Sequence, residues 1–197
     1  METWKINDHV LEHEEETDNY IADGVKVPSI KQAIKVKPSM ADMYKGISAD
    51  IVRKKGETDA LLHKAIEDYW RNGTESDTAE FRGFKTLQKQ YDIVPLAKAV
   101  PVMLCDDKPI MAGKLDMLAL VGGKMQIVEL STVSAMSVHF KEYLAYKLNL
   151  YRLAYEQSYG TSIEGLAVLH LRGNTKRFIE VKIGDFVARE IIEGLKA

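Results

Sequence analysis

Cysteine is nearly absent from this chain: Cys105 is the single example in 197 residues. That excludes an internal disulfide and a cysteine-based zinc cluster, and a free thiol fits a reducing cytosol best. Long hydrophobic runs are missing too. No apolar stretch approaches the roughly 20 residues that a membrane helix needs. The opening, METWKINDHVLEHEEETDN, is acidic where a secretory signal would be basic and then apolar. The expectation is a cytoplasmic protein that neither crosses nor enters a membrane. A surplus of positive charge is also lacking. Lys and Arg number 27 against 29 Asp and Glu, a net charge of −2, so no global field draws the protein to nucleic acid.

What is present fits one domain covering residues 1–197, with 46% hydrophobic and 28% charged residues, enough for a full core. NYIADGVKVPSI carries a DG turn between two short β-prone runs and reads as a hairpin closed by Pro28. SADIVRKKGETDALLHKAIEDYWRNG reads as helix, broken or bent near Gly56 and stopped at Gly73, with a further helix in DTAEFRGFKTLQKQY. The texture then changes to short β-rich runs, AVPVMLCDD, IMAGKLDMLALV and KMQIVELSTV, separated by DDKP and GG turns. SVHFKEYLAYKLNLYRLAYEQSYG is the clearest helix. The strands LAVLHL and FIEVKI and the helix DFVAREIIEGLKA follow it. This order predicts an α/β fold: a central mixed β-sheet, an antiparallel meander plus further strands, flanked by helices. Residues 1–55 would form an N-terminal hairpin and basic segment, and about 56–185 the core.

Charge is uneven along the chain. Between Lys26 and Lys55 eight cations (Lys26, Lys31, Lys35, Lys37, Lys45, Arg53, Lys54 and Lys55) face only Asp42 and Asp50. Such a block can neutralise phosphates, which makes Lys31, Lys35, Lys37, Arg53, Lys54 and Lys55 candidate DNA contacts. The alternative is an ordinary solvated face.

Two carboxylates carry the chemistry. Asp116 sits in KLDML and Glu129 in IVELS, each inside an apolar strand. Burying a lone carboxylate is costly unless it is hydrogen-bonded, paired or bound to a cation. Two on neighbouring strands look like a site for a hard cation, Mg²⁺ or Mn²⁺, which polarises phosphoryl oxygens and activates water. The competing reading turns both acids to solvent and buries Leu115, Met117, Val128 and Leu130 instead.

The segments YIADGVKVPSI, GETDALLHKAIEDYW, GKLDMLALVGGKMQIVELSTVS and YKLNLYRLAYEQSYG, in that order over residues 20 to about 172, resemble the phage-type exonucleases of the PD-(D/E)XK superfamily, relatives of RecB-type nuclease domains. That family shows a helix with G…H…E, a strand with G-x-(I/L)-D, a strand with (D/E)-x-K-T and a helix opening Q-L-x-x-Y. The resemblance implies a restriction-endonuclease-like core in which Asp116 and Glu129 bind catalytic Mg²⁺, His63 joins the metal shell and Tyr151 neighbours the site. It also implies a DNA substrate, taken at ends or as single strands, and a phage or bacterial setting. A homo-oligomer and a recombination partner protein would fit the same family. Three positions depart from the pattern. Ser131 stands where the lysine belongs, Ala99 stands near where many relatives carry a glutamate, and Lys147 replaces the glutamine.

Helical periodicity addresses the missing lysine independently. At about 100° per residue, Lys147 falls inside the apolar arc of Phe140, Leu144, Leu148, Tyr151 and Ala154. The charges Lys141, Glu142, Arg152 and Glu156 gather opposite, on an expected solvated face. Lys147 therefore points toward the sheet, where a buried ammonium needs an anion. It is the candidate to replace the absent lysine, stabilising the pentavalent transition state or positioning the attacking water. The bland alternatives are snorkelling to water or a structural pair with Glu129. His63 shares a helix face with Ile66, Glu67 and Trp70, as a core histidine or a metal ligand. His139 reads as helix-start surface and His170 as strand packing. Ser131, Ser134 and His139 lack the third residue of a hydrolase triad, and VGGK is a turn rather than a phosphate loop.

Two functions compete. One is a metal-dependent DNA exonuclease using Asp116, Glu129, Lys147 and His63. The other is a catalytically degenerate descendant that binds DNA or protein. A lysine that reaches the carboxylates favours the first.

Overall fold

The computed structural model describes residues 1–14, 16–41 and 46–196. Asp42 and Lys45 of the basic segment lie outside them. No helix among the described residues is long and apolar enough to cross a membrane.

The chain opens with a four-stranded antiparallel sheet in sequence order: β1 (Glu2–Ile6), β2 (His9–Glu14), β3 (Asn19–Ala22) and β4 (Val25–Val27). The DG turn joins β3 to β4 as expected, with Asp23 and Gly24 both at positive φ. The β1–β2 hairpin was not anticipated. Glu12 and Glu14 face away from the core, while Ile6, Leu11 and His13 turn inward and are buried, with Glu2 across from His13 on that same face. Short turns of helix follow at α1 (Ile30–Ala33) and α2 (Pro38–Ala41).

The helix α3 (Ala49–Asn72) corrects one expectation: it runs unbroken through Gly56. Ser48 caps its start by accepting from the Ile51 amide, and Gly73 at φ 69° ends it. A single glycine costs about 1 kcal/mol in a helix, too little to break one of this length. The helix α4 (Ala79–Gln90) follows.

The second sheet is the expected mixed one, ordered β5 (Ile93–Asp106), β6 (Lys108–Val121), β7 (Lys124–Ser131), β8 (Gly165–Arg172), β9 (Thr175–Val181). Only β7 and β8 are parallel, and the crossover between them contains α5 (Val138–Tyr159). On one face, Leu62 and Ile66 of α3 and Phe81 and Phe84 of α4 pack with Met117, Val128 and Leu169. On the other, Leu144 and Leu148 of α5 and Ala188 of α6 (Asp185–Lys196) pack with Leu115, Ile127 and Val168. The expected core boundary near residue 56 falls inside α3, and α6 packs into the core beyond residue 185.

The expected solvated face of α5 is corrected at Arg152. That side chain is buried, donating to Glu156 at 2.7 Å and to Asp185. Asn149, fully buried one turn earlier, donates to the Ala145 and Lys182 carbonyls and accepts from the Gly184 amide. A helix covered on both sides by sheet and α6 shows little amphipathic contrast.

The long strand β6 joins the two sheets. Ala112 packs with Met103, Leu11 and Tyr20, and its amide donates to the Pro28 carbonyl at 3.1 Å. Four residues further, Asp116 stands at the junction.

Candidate functional site

Asp116 lies between Leu115 and Met117, both fully buried, yet its own side chain keeps 20% exposure and lines a cleft of about 820 Å³. Its Oδ2 accepts the Leu130 amide at 3.0 Å, which ties the carboxylate to β7. His63 of α3 brings Nε2 to 3.8 Å from the same oxygen, an ion-pair distance but no hydrogen bond. The cleft runs between the sheets. Glu2, Asp18 and Tyr20 form one wall, α3 the other, and Asp116 with Lys98 and Tyr151 its floor.

Glu129 sits one strand over and is buried. Lys147 donates to its Oε1, so the helical-wheel expectation is met: the ammonium points into the sheet and finds an anion. Its Nζ also lies 5.6 Å from the centroid of the Tyr151 ring, one turn along α5. Burial pushes the Glu129 carboxyl up to about 7, with the charge of Asp116 adding to the push and Lys147 opposing it. Burial works against the Lys147 ammonium, but Glu129, Tyr151 and Asp116 together hold its pKa well above the ordinary lysine value. Burial also raises Tyr151, which stays a neutral phenol.

Two departures from the family pattern have visible geometry. Lys98 pairs with Met117 and Val100 with Leu115, which sets Ala99 directly across from Asp116. Ala99 has φ 49°, a left-handed kink that costs a non-glycine residue about 1 kcal/mol or more. Ser131 is buried at the end of β7, and its Oγ has no hydrogen-bond partner among the described residues. The next residue, Thr132, donates to Asp59 of α3 at 2.5 Å and fixes that strand end.

Gly113 explains how Tyr151 comes so close. A Cβ at this position would lie 2.9 Å from Tyr151 Cε1 and 3.2 Å from its hydroxyl oxygen, so only glycine lets the ring lie on β6.

The structure thus places Asp116, His63 and Tyr151 on the cleft, with the buried Glu129–Lys147 pair beside them but not among its lining residues, and Ser131 two residues from Glu129 on β7. The basic segment is dispersed. Lys31 lines the cleft, 3.7 Å from Asp18. Lys37 donates to Glu190 at 2.6 Å, Arg53 pairs with Asp50 and Glu57, and Lys55 with Asp59. Lys35 and Lys54 are exposed and do not line the cleft. The competing hydrolase histidine, His139, sits exposed at the start of α5, and His170 is buried, bonded to the Val133 carbonyl.

Sequence reasoning missed three cleft cations, Arg71, Lys98 and Lys114. Lys114 had a signal, since it lies two residues from Asp116 on one strand and so on the same face. Lys98 lies 2.9 Å from the His63 carbonyl and donates to it. Burial lowers its pKa, opposed by Glu67 and Asp116.

The donor set suits a hard cation. Asp116, Glu129 and Lys147 sum to one negative charge, and Asp116 raises the proton affinity of Glu129 as like charges do. Among the described residues no group of three His, Cys, Asp or Glu side chains is gathered tightly enough to hold a metal ion. Asp116 and Glu129 offer oxygen donors of the kind Mg²⁺ takes alongside water and phosphate oxygens, whereas a catalytic zinc takes three protein ligands.

No family model and no curated protein matches this chain. Among solved structures, "Crystal structure of SSO0001" is similar at a TM-score of 0.43 and 10% identity, covering 83% of each chain.

Proposed function

We propose that this protein is a Mg²⁺-dependent deoxyribonuclease, an exonuclease of the PD-(D/E)XK type, with Lys147 in place of the lysine missing at Ser131. The observation that carries the reading is the reach of Lys147 from α5 to Glu129 beside Asp116. When bound by Asp116 and Glu129 with His63 alongside, Mg²⁺ or Mn²⁺ would supply polarisation of a phosphoryl oxygen and a more acidic water.

The chain's own residues divide the remaining work. Asp116, tethered by the Leu130 amide, fixes where a phosphate can approach. Lys147 stays protonated at neutral pH, so it serves as a fixed positive charge and not as a base. Charge stabilisation in the pentavalent transition state is the role left to it. Lys98 supplies a second cation near His63 for a non-bridging phosphate oxygen. This reading carries a cytoplasmic location with it, in a bacterium or a phage-infected host. It also leaves room for a homo-oligomer or a recombination partner protein.

One observation favours the alternative, a silent module that binds DNA or protein. A carboxylate already neutralised by a buried lysine needs no metal. Cleavage of end-labelled single- and double-stranded DNA with Mg²⁺ or Mn²⁺ decides between them. The nuclease predicts activity abolished in Asp116→Ala and cut at least ~100-fold in Lys147→Ala. Loss in Asp116→Ala alone removes the role of Lys147. A folded parent protein without metal-dependent cleavage supports the module.

A further inference from the structure

The cleft contains more than its carboxylates. On α3, Trp70 lies two turns beyond His63, about 10 Å along the axis. It lines the same cleft while 39% of its surface stays exposed. A large aromatic held at a polar groove with an open face is a platform for a planar group. Arg71, the next residue, also lines the cleft and is paired with Glu67 at 2.7 Å, and Lys98 stands beside His63 at the carboxylate end.

The opposite wall offers a second strand no free cations among the described residues. Glu2 and Asp18 project from the N-terminal sheet into the cleft. Their cationic partners are already engaged: Lys114 donates to Glu2 at 2.7 Å, and Lys31 lies 3.7 Å from Asp18. A duplex carries one charge per roughly 1.7 Å and demands an unbroken surplus of cations. Here the cations of that wall, Lys31 and Lys114, are already paired with Asp18 and Glu2, so a second backbone finds no such surplus. The volume of about 820 Å³ falls in the range of small-ligand pockets, roughly 300–1,000 Å³. That holds a few nucleotides of one strand.

We infer that the cleft takes a single-stranded DNA end, with a base stacked on Trp70 while a neighbouring phosphate lies at Asp116. Trp70 then sets strand preference without touching the reacting atoms. This inference rests on the cleft being the nuclease site proposed above.

The test is fluorescence anisotropy with labelled oligo-dT and a blunt duplex of equal length, in EDTA so that cleavage is silent. The proteins compared are the parent, Trp70→Ala and Trp70→Phe, each checked for an unchanged melting temperature. The parent should bind oligo-dT at least ~10-fold more tightly than duplex. Trp70→Ala should lose about tenfold on oligo-dT and little on duplex, and Trp70→Phe should stay within about threefold of the parent. Equal or tighter duplex binding, no binding of either DNA, or an unchanged Trp70→Ala overturns the inference. The two readings fail separately. Asp116-dependent cleavage of duplex without a preference for oligo-dT leaves the nuclease and removes the Trp70 platform. Oligo-dT binding lost in Trp70→Ala without cleavage does the reverse.

Discussion

Replacing Glu129 by glutamine should change how stability depends on pH, in a window that few other groups share. Burial and Asp116 raise the folded carboxyl from the ordinary 4.5 to about 7. A group with a raised folded pKa favours the folded state while protonated. Its contribution is complete below pH 4.5 and is lost as pH rises toward 7 and above. At about 1.36 kcal/mol per pH unit, that rise is worth about 3 kcal/mol. In a domain of this size 1 kcal/mol moves Tm by about 2–4 °C, so the parent should lose about 6–12 °C between pH 4.5 and 8. The carboxyls of Glu2, Glu14, Asp23 and Glu190 are lowered, chiefly by side-chain hydrogen bonds, and act oppositely, but their effect is complete by about pH 5. The assay is thermal unfolding in EDTA at fixed ionic strength, with the slope against pH compared between parent and Glu129→Gln. Slopes are the right readout, because glutamine also weakens the bond to Lys147 at every pH. Asp116→Asn should flatten the parent's slope in part, since it removes the second cause of the raised pKa. A parent Tm that is level or rising from pH 5 to 8, or a Glu129→Gln variant with the parent's slope, would refute the reasoning.

Other substitutions report on the scaffold and on DNA. Gly113→Ala forces a Cβ to 2.9 Å from the Tyr151 ring, and should cost about 1–3 kcal/mol in urea unfolding, most of it recovered in a Tyr151→Ala background. Asn149→Ala removes three hydrogen bonds from a fully buried site. A loss of about 2–3 kcal/mol is expected, with faster hydrogen exchange in α6. Lys98→Ala should lower the salt dependence of single-strand binding by about 0.7 in log–log slope, whereas Lys35→Ala and Lys54→Ala, outside the cleft, should leave it unchanged.

The parts of this fold legible in the sequence are those where period and punctuation agree. The DG and GG turns, the run of five sheet strands and the helix from Val138 to Tyr159 all declare themselves locally. The β1–β2 hairpin did not, because acidic residues interrupt its alternation and its apolar side is defined only by contact with Met103 and Ala112 far along the chain. Arg152 misled for the same reason. Its burial depends on α6 and Asp185, which a helical wheel does not contain. Lys147 could be read because a single charge within an apolar arc is a local fact. Among the missed cleft cations Lys114 had its local signal beside Asp116, but Arg71 and Lys98 come from other elements and reach the cleft only through the fold. Of the lysine-rich sequence between 26 and 55, Lys31 reaches the cleft, and Lys31, Lys37, Arg53 and Lys55 are answered by nearby acids.

The bond from Glu2 to Lys114 joins positions 112 apart in sequence. Contacts this distant close late, because their loop entropy must be met before they return any stability. The carboxylates and Lys147 belong to β6, β7 and α5, elements of the five-stranded sheet and its crossover. The wall facing them belongs to the N-terminal hairpins. A partly folded chain would therefore carry the reactive groups with no groove to hold a strand against them, and completion of folding would itself license the site.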